Sequence, residues 1–368
     1  MDSITQAALG GVVGELTLGR KLGWKGMAWG LFFGTLPDLD ILAYPFLDEV
    51  ARIKWHRGIS HSLFIMVVAS LVLARPLAWL HRKRGVSVRR AGWFVFLAWS
   101  THVLIDVFTT YGTQVFEPFS DYRMAWNNLF IIDLLFTLPL VILVFYRVGA
   151  GLWRWRENWI WRRNGADPED EPEQVEFSLR PAKAAILLSS LYVFFSFVMK
   201  FWASYQLEDR VKEAIPDGTL VAVAPSPLNT VLWRGLVETK EGFFVTHWSP
   251  FDDGPAGYHF LAKNHELARK FEGQELFETL KWFARGRWVA RPGPDGKVVF
   301  IDVRFGEIRD FEKGRLLPVF QWRMDYDANG HMEAVSYRPE RIDPQRGLTA
   351  IWYRMLGNRK AWEEVEAF

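Results

Sequence analysis

The pattern of hydrophobic and polar positions divides the chain near residue 205. Before this point, long apolar runs alternate with short basic loops, and after it apolar and polar residues alternate as in water-soluble domains. Five runs reach the length of about 20 apolar residues that a helix needs to cross a bilayer. These runs are Gly26–Phe46, Ile59–Leu80, Ala91–Tyr111, Asn128–Tyr146 and Ala184–Ala203. A sixth run, Ile4–Leu18, is shorter and rich in glycine and alanine. It could span the membrane, re-enter it or pack flat, and the sequence does not distinguish these positions.

The fold class that follows is a mainly α-helical polytopic membrane domain with five or six membrane helices, followed by a soluble α+β domain. We expect the helical membrane domain at residues 1–146 and a cytoplasmic basic and acidic linker at 147–183, which includes the acidic stretch Asp167–Glu176. The last membrane helix is expected at 184–204 and the α+β domain at 205–368.

Alternating runs around turn residues predict three β-hairpins in the α+β domain, at Leu228–Trp248, Arg287–Phe305 and Val319–Tyr337. Helical periodicity predicts one helix within Glu266–Arg285.

Basic residues in the loops predict the orientation of the membrane helices, because cytoplasmic loops carry an excess of Lys and Arg. The loop His81–Arg90 has five basic residues and no acidic one, and Arg147–Lys183 is also rich in arginine. With both loops in the cytoplasm, the chain is predicted to be a multi-pass protein of a bacterial inner membrane with an extracytoplasmic C-terminal domain.

Composition narrows the possible chemistry. The net charge of +2 gives no support to a nucleic-acid partner, and the lipid bilayer is the expected partner instead. Because the chain has no cysteine, thiol nucleophiles and zinc–thiolate sites are excluded. Any metal ion must be bound by histidine, aspartate, glutamate or other oxygen donors.

Ionisable residues inside the apolar runs are the candidate functional residues, because each costs roughly 2.5–3.5 kcal/mol to insert into a membrane. The predicted orientation brings seven of them to the outer face, although it was derived from lysine and arginine alone. The seven are Asp38, Asp40, His56, His61, His102, Asp106 and Asp133. This agreement predicts one layer of histidines and carboxylates contributed by four separate helices.

The spacing of these residues suits metal binding. His102 and Asp106 are four residues apart and therefore lie on one face of a helix. Pro37 interrupts regular helix, which lets Asp38 and Asp40 line the same cavity. Histidine and carboxylate ligands without thiolates favour a divalent metal ion, first Zn²⁺ and alternatively Mn²⁺ or Fe²⁺.

A structural interpretation competes with the functional one at each position. A single membrane histidine or aspartate often makes a helix–helix hydrogen bond, and for Asp133 this role is favoured. Arg57 is equally consistent with a phosphate or carboxylate clamp and with an arginine that reaches the membrane interface.

Four segments together resemble the YdjM-like family of bacterial inner-membrane proteins, which are generally described as membrane-bound metal-dependent hydrolases. They are Met1–Thr5, Leu36–Asp40, His56–Ser62 and Thr101–Asp106. The resemblance covers roughly residues 1–146. It implies a metal centre built from Asp38, Asp40, His56, His61, His102 and Asp106.

One position departs from the family, since members commonly have histidine where this chain has Gln6. Three outcomes follow for this position: the site lacks one ligand, Gln6 holds a water, or activity is lost.

The functional hypothesis is metal-dependent hydrolysis of an ester or phosphoester, with a lipid-linked substrate suited to a site at the outer interface. We expect His56, His61, His102 and Asp106 to bind the metal. Asp38 and Asp40 are expected to bind the same or a second metal, or to supply the general base. Gln6, Arg57 and Asp133 are expected around them, or in contact with substrate.

Two other classes of function remain open. A metal-ion or proton transporter also uses intramembrane histidine and aspartate, although such proteins usually show paired half-repeats and none is visible here. A non-catalytic membrane scaffold would retain its fold without metal.

Overall fold

The computed structural model describes residues 1–163, 178–293, 296–310, 315–336 and 343–359. The acidic stretch Asp167–Glu176 lies outside the described residues, as do the turn residues Pro294 and Asp295 and the last residue of the third predicted hairpin, Tyr337.

The chain forms two compact units. The first comprises Met1–Leu42, Arg57–Ala125 and Ile131–Phe194. The second comprises Ala43–His56, Trp126–Phe130 and Phe195–Phe368. The segment Ala43–His56 therefore clusters with the C-terminal domain, although it lies among the membrane helices in sequence.

The N-terminal region is helical. Its helices are α1 (Ser3–Leu22), α2 (Trp24–Thr35), α3 (Glu49–Trp55), α4 (Leu63–Leu80), α5 (Val88–Val107), α6 (Leu134–Arg163) and α7 (Arg180–Ala214). Two 3₁₀ segments, Leu36–Phe46 and Ile59–His61, carry the aspartate and histidine motifs. The α-helical part of the run Gly26–Phe46 ends at Thr35, just before Pro37, so the aspartates lie on 3₁₀ backbone.

Three helices of the described chain are long and apolar enough to cross a membrane: α4, the part Leu134–Glu157 of α6, and α7. The short apolar run at Ile4–Leu18 forms part of one continuous 20-residue helix, α1. A total of five or six spans stays a prediction.

Glycines bring α1 and α2 into backbone contact. A Cβ atom added at Gly14 would overlap the carbonyl oxygen of Gly26, and one added at Gly30 would overlap that of Gly10. Gly34 approaches the backbone of Gln6 in the same way, since a Cβ there would lie 2.6 Å from the Gln6 oxygen. This close packing fixes the Gly34 carbonyl and the start of α1 relative to each other.

The C-terminal domain contains two four-stranded antiparallel sheets. The first has the order β1 (Thr219–Pro225), β2 (Trp233–Glu238), β3 (Gly242–Trp248), β4 (Tyr258–Ala262). The other described strands are β5 (Trp288–Pro292), β6 (Val298–Asp302), β7 (Glu307–Asp310), β8 (Arg315–Pro318), β9 (Gln321–Tyr326) and β10 (Met332–Ser336). The second sheet has the order β10-β9-β6-β5, and β7 pairs with β8.

Both four-stranded sheets contribute to one apolar core. Leu236 and Phe243 from the first sheet cluster with Val289 and Ile301 from the second, and all four side chains are buried. Two helices complete the described domain, α8 (Glu275–Ala284) and α9 (Pro344–Met355).

The predicted α+β character of this domain is confirmed. The three predicted hairpins correspond to β2–β3, β5–β6 and β9–β10, and the predicted helix corresponds to α8. The strands β1, β4, β7 and β8 and the helix α9 were not predicted.

Candidate metal centre

Four side chains of the first unit converge on one point: Asp38, His61, His102 and Asp106. The two 3₁₀ segments supply Asp38 and His61, and α5 supplies the other two. One ligand atom from each residue lies within 4.8 Å of all the others.

Five of the six distances between these atoms suit ligands of one metal ion. The Nε2 atoms of His61 and His102 are 3.1 Å apart. His61 Nε2 lies 3.2 Å from Asp38 Oδ1 and 3.3 Å from Asp106 Oδ2, and His102 Nε2 lies 3.5 Å from each of these oxygens. Two atoms that each lie about 2.0 Å from a tetrahedral Zn²⁺ ion, its usual bond length to nitrogen and oxygen, are about 3.3 Å apart.

The hydrogen bonds of His102 orient its ring for metal binding. Its Nδ1 atom lies 2.7 Å from the carbonyl oxygen of Gly34. Because a carbonyl oxygen can only accept, Nδ1 carries the proton and Nε2 presents its lone pair to the cluster. Metal-binding histidines in proteins are oriented in this way.

His61 is oriented by a relay to Asp40. The hydroxyl of Ser60 lies 2.9 Å from His61 Nδ1 and 3.4 Å from Asp40 Oδ2. The Ser60 hydroxyl donates a hydrogen bond to the Asp40 carboxylate, so the hydroxyl oxygen can accept a hydrogen bond from the N–H at Nδ1 of His61. The lone pair of the His61 ring is then on Nε2. Asp40 thus lies behind His61 rather than in the converging group, and it also accepts from the backbone N–H of Arg57 at 3.1 Å.

The two oxygens of Asp106 have different surroundings. Oδ1 accepts hydrogen bonds from Arg57 Nη2 at 3.0 Å, from Gln6 Nε2 at 3.0 Å and from the Met1 amino group. Oδ2 is buried, has no hydrogen bond and faces the two imidazoles. A buried carboxylate oxygen without a hydrogen bond is costly, and a cation among the facing lone pairs would compensate for it. The donor set therefore fits a divalent metal ion.

Burial leaves the cluster one accessible member. The side chains of His61, His102 and Asp106 are fully buried, whereas that of Asp38 is 17% exposed. Asp38 is therefore the member that water or a substrate group can reach.

Arg57 is held tightly beside the cluster. Its backbone has a φ of 55°, which is uncommon for a residue with a side chain. The guanidinium group donates to Thr109 Oγ1 at 3.1 Å in addition to Asp106, and it lies over the ring of Tyr111 at 5.0 Å. One terminal nitrogen of Arg57 thus contacts Thr109, and the other contacts the carboxylate of Asp106.

The structure does not bring His56 into the four-residue group. His56 caps the C-terminus of α3 in the second unit, with its N–H donating to the Arg52 carbonyl at 3.2 Å. Its ring packs edge-on against Tyr44, with 6.2 Å between the ring centres.

Asp133 also lies outside the four-residue group, and it makes hydrogen bonds at the start of α6. Its carboxylate accepts from the Phe136 N–H at 3.3 Å and from the Tyr192 hydroxyl at 3.1 Å.

Gln6 lies where the resemblance places a histidine in other members. Its side chain is buried, and Nε2 lies 3.3 Å from His102 Nε2 in addition to its bond to Asp106. Gln6 therefore donates a hydrogen bond to Asp106 through Nε2, while its Oε1 atom is buried without a hydrogen-bond partner among the described residues.

Two groups that orient the imidazole rings were not identified in the sequence. Ser60 lies between two motif residues and its polar side chain was a usable signal. The Gly34 carbonyl gave none, since every residue has a carbonyl group and only the packing of α2 brings this one to His102.

Comparison with known proteins identifies relatives of the chain. A family model described as YdjM inner membrane protein matches residues 1–203, which include all four cluster residues. The chain is 23% identical over 254 residues to "Uncharacterized protein YfhP" of Bacillus subtilis (strain 168), covering 67% of each chain. It is 32% identical over 124 residues to "Inner membrane protein YbcI" of Escherichia coli (strain K12), covering 33% of this chain and 69% of that protein. No solved structure matches the chain.

Proposed function

Because the chain belongs to the YdjM inner membrane protein family, we propose that its membrane region binds a divalent metal ion and hydrolyses an ester or phosphoester at the membrane surface. The observation that carries this proposal is the convergence of four ligand atoms, one of which is Asp106 Oδ2, a buried oxygen that has no hydrogen bond. The protein would lie in the inner membrane with its C-terminal domain on the extracytoplasmic side, as the basic loops predict.

His61, His102 and Asp106 are the proposed permanent ligands, because each is buried and held by other groups. Two imidazoles and carboxylates favour Zn²⁺, with Mn²⁺ and Fe²⁺ as alternatives. Such an ion, when bound, polarises the bond under attack and lowers the pKa of water toward neutrality.

Asp38 is the proposed proton-transfer group. Catalytic zinc sites usually keep one position for water or substrate beside three protein ligands. Asp38 is the one partly exposed member of the cluster and lies on the Nε2 side of both histidines. This exposure and position support the proposal that its carboxylate accepts a proton from attacking water.

Asp40 and Arg57 are proposed to position the ligands rather than to meet substrate. Asp40 acts on His61 through Ser60, and Arg57 holds Oδ1 of Asp106 so that Oδ2 stays directed at the cluster. A substrate with a lipid tail suits a site among membrane helices.

Metal analysis and hydrolysis assays on the purified full-length protein test the proposal. We expect one equivalent of bound metal, and hydrolysis of lipid or nitrophenyl phosphoesters that EDTA abolishes and one of Zn²⁺, Mn²⁺ or Fe²⁺ restores. The His61→Ala variant should lose the metal. The Asp38→Asn variant should retain most of it while kcat falls by about 10²-fold or more, the usual contribution of general-base catalysis.

Two results would overturn this assignment. One is a folded protein without metal, and the other is hydrolysis that persists in EDTA. Flux of metal ions or protons into liposomes without hydrolysis would instead support transport. The orientation is tested separately with a reporter fused after residue 368, which should be active only outside the cytoplasm.

A further inference from the structure

The helix α9 in the C-terminal domain exposes a group of large apolar side chains. Its buried side includes Ala350 and Arg354, and Arg354 is bound to both carboxylate oxygens of Asp252. On the outward side Leu348, Trp352, Tyr353 and Leu356 are between 48% and 59% exposed, beside the exposed polar residues Gln345 and Thr349. Four large apolar side chains on the exposed side of one short helix point to an apolar environment.

The last turn of α9 is bound to the chain that follows β3. Arg354 Nη2 donates to the carbonyl of His247 at 2.9 Å, and the Ser249 hydroxyl donates to the carbonyl of Met355. Gly357 lies so close to Phe251 that a Cβ atom would overlap the Phe251 backbone, and Phe251 is itself an exposed aromatic residue.

The end of β3 in turn packs on the apolar part of α7. The buried ring of Trp248 contacts that of Trp202 edge-on at 5.1 Å, and Trp248 clusters with Met199 and Ala203. Exposed apolar side chains continue along this helix as far as Tyr205. Of the described helices, α7 is one of three long and apolar enough to cross a membrane, so Trp248 and the segment after it pack beside the end of a candidate membrane span.

We propose that α9 is an interfacial helix, with Leu348, Trp352, Tyr353 and Leu356 inserted into the headgroup region of the bilayer that α7 crosses. The four exposed apolar side chains of α9 and its connection through Trp248 to the apolar helix α7 carry this assignment. It does not depend on the metal centre.

The composition of the face suits this position. Trp and Tyr are enriched at membrane interfaces because their rings are apolar and their polar groups hydrogen-bond to water and headgroups. Leucines supply the apolar contact, and Arg346 in the first turn is exposed and can meet lipid phosphates.

Single-cysteine labelling tests the proposal without background, since the chain has no cysteine. The full-length Trp352→Cys and Leu348→Cys variants are labelled with the fluorophore NBD and reconstituted into liposomes of phosphatidylethanolamine and phosphatidylglycerol. Lys240→Cys is the matched control, because Lys240 is exposed in the turn before β3, roughly 20 Å along the strand from Trp248.

Doxyl-labelled lipids should quench most of the emission of labels at positions 348 and 352, whereas aqueous iodide should not. The label at position 240 should behave in the opposite way. Quenching by iodide at all three positions would overturn the proposal. Protection from both quenchers at 348 and 352 would also overturn it, because protein would then cover the face, and cross-linking between labelled copies would identify a second copy as that cover.

Discussion

Buried charges occur in both regions of this protein, but they are satisfied in different ways. In the described part of the C-terminal domain, two buried carboxylates each have both oxygens bound by an arginine. Arg304 binds both oxygens of Asp302, and Arg354 does the same for Asp252. Neither carboxylate is left with an oxygen that lacks a hydrogen bond, as expected for a structural element.

In the membrane region, only one of the two oxygens of the buried Asp106 carboxylate has hydrogen bonds. Arg57, Gln6 and the Met1 amino group surround Oδ1, while Oδ2 faces the lone pairs of His61 and His102. Burial of a charged group therefore does not by itself mark a functional site. A functional site is indicated when one oxygen of a buried carboxylate has no hydrogen bond and points at the ligand atoms of other side chains.

The largest expected effect is on metal content. Asp106→Asn replaces a ligand oxygen by a group of the same shape, and we expect it to remove nearly all bound metal, since loss of a ligand usually costs more than the 10–100-fold in affinity that follows loss of a supporting residue. Asp252→Asn is the matched control in the C-terminal domain and should leave the metal content of folded protein unchanged. Elemental analysis of both purified variants checks this. Equal loss of metal in both would show that Asp106 is not specifically a metal ligand.

The second prediction concerns stability of the C-terminal domain. Arg354→Met removes both guanidinium hydrogen bonds of the buried Asp252, and Arg359 lies 3.9 Å away, so the free energy of unfolding should fall by about 3–5 kcal/mol. Arg346→Met removes an exposed ion pair from the same helix and should change the free energy by less than about 1 kcal/mol. Urea unfolding of the full chain in detergent, followed by tryptophan fluorescence, measures both, and similar effects would show that the buried pair has no special role.

The sequence predicted the two regions unequally. Alternating patterns around turns located three hairpins of the C-terminal domain, because a strand pair needs only local signals. It did not predict that Arg354 pairs with Asp252, 102 positions earlier, since nothing local links the two residues. In the membrane region, the cost of burying charge identified Asp38, His61, His102 and Asp106 as candidates. The same argument also selected His56 and Asp133, because it detects burial and cannot tell which side chains converge.

The third prediction links packing of the helices to the metal centre. Gly30→Ala places a methyl group against the backbone of α1 and should destabilise the membrane region by about 1–3 kcal/mol. Because α2 brings the Gly34 carbonyl to His102, metal affinity should also decrease. Gly149→Ala in α6 is the control, since nothing lies within 4 Å of its added Cβ atom. Thermal unfolding in detergent and metal titration measure both effects, and a neutral Gly30→Ala would show that the helices can separate without loss.

The smallest expected effect is a pH dependence in the C-terminal domain. Burial, together with Arg234 and Arg354, holds the pKa of His247 well below the ordinary value of 6.5. Above pH 6.5 the side chain is neutral in the folded and unfolded states, so this residue adds no pH dependence. Below it, only the unfolded chain binds the proton, and stability should fall by up to about 1.4 kcal/mol per pH unit until the folded pKa is reached. His247→Gln should reduce this slope in urea unfolding between pH 6.5 and 5, while His331→Gln, at a side chain 80% exposed, should not. An unchanged slope in His247→Gln would mean that other groups, and not the histidine between two arginines, make this domain sensitive to acid.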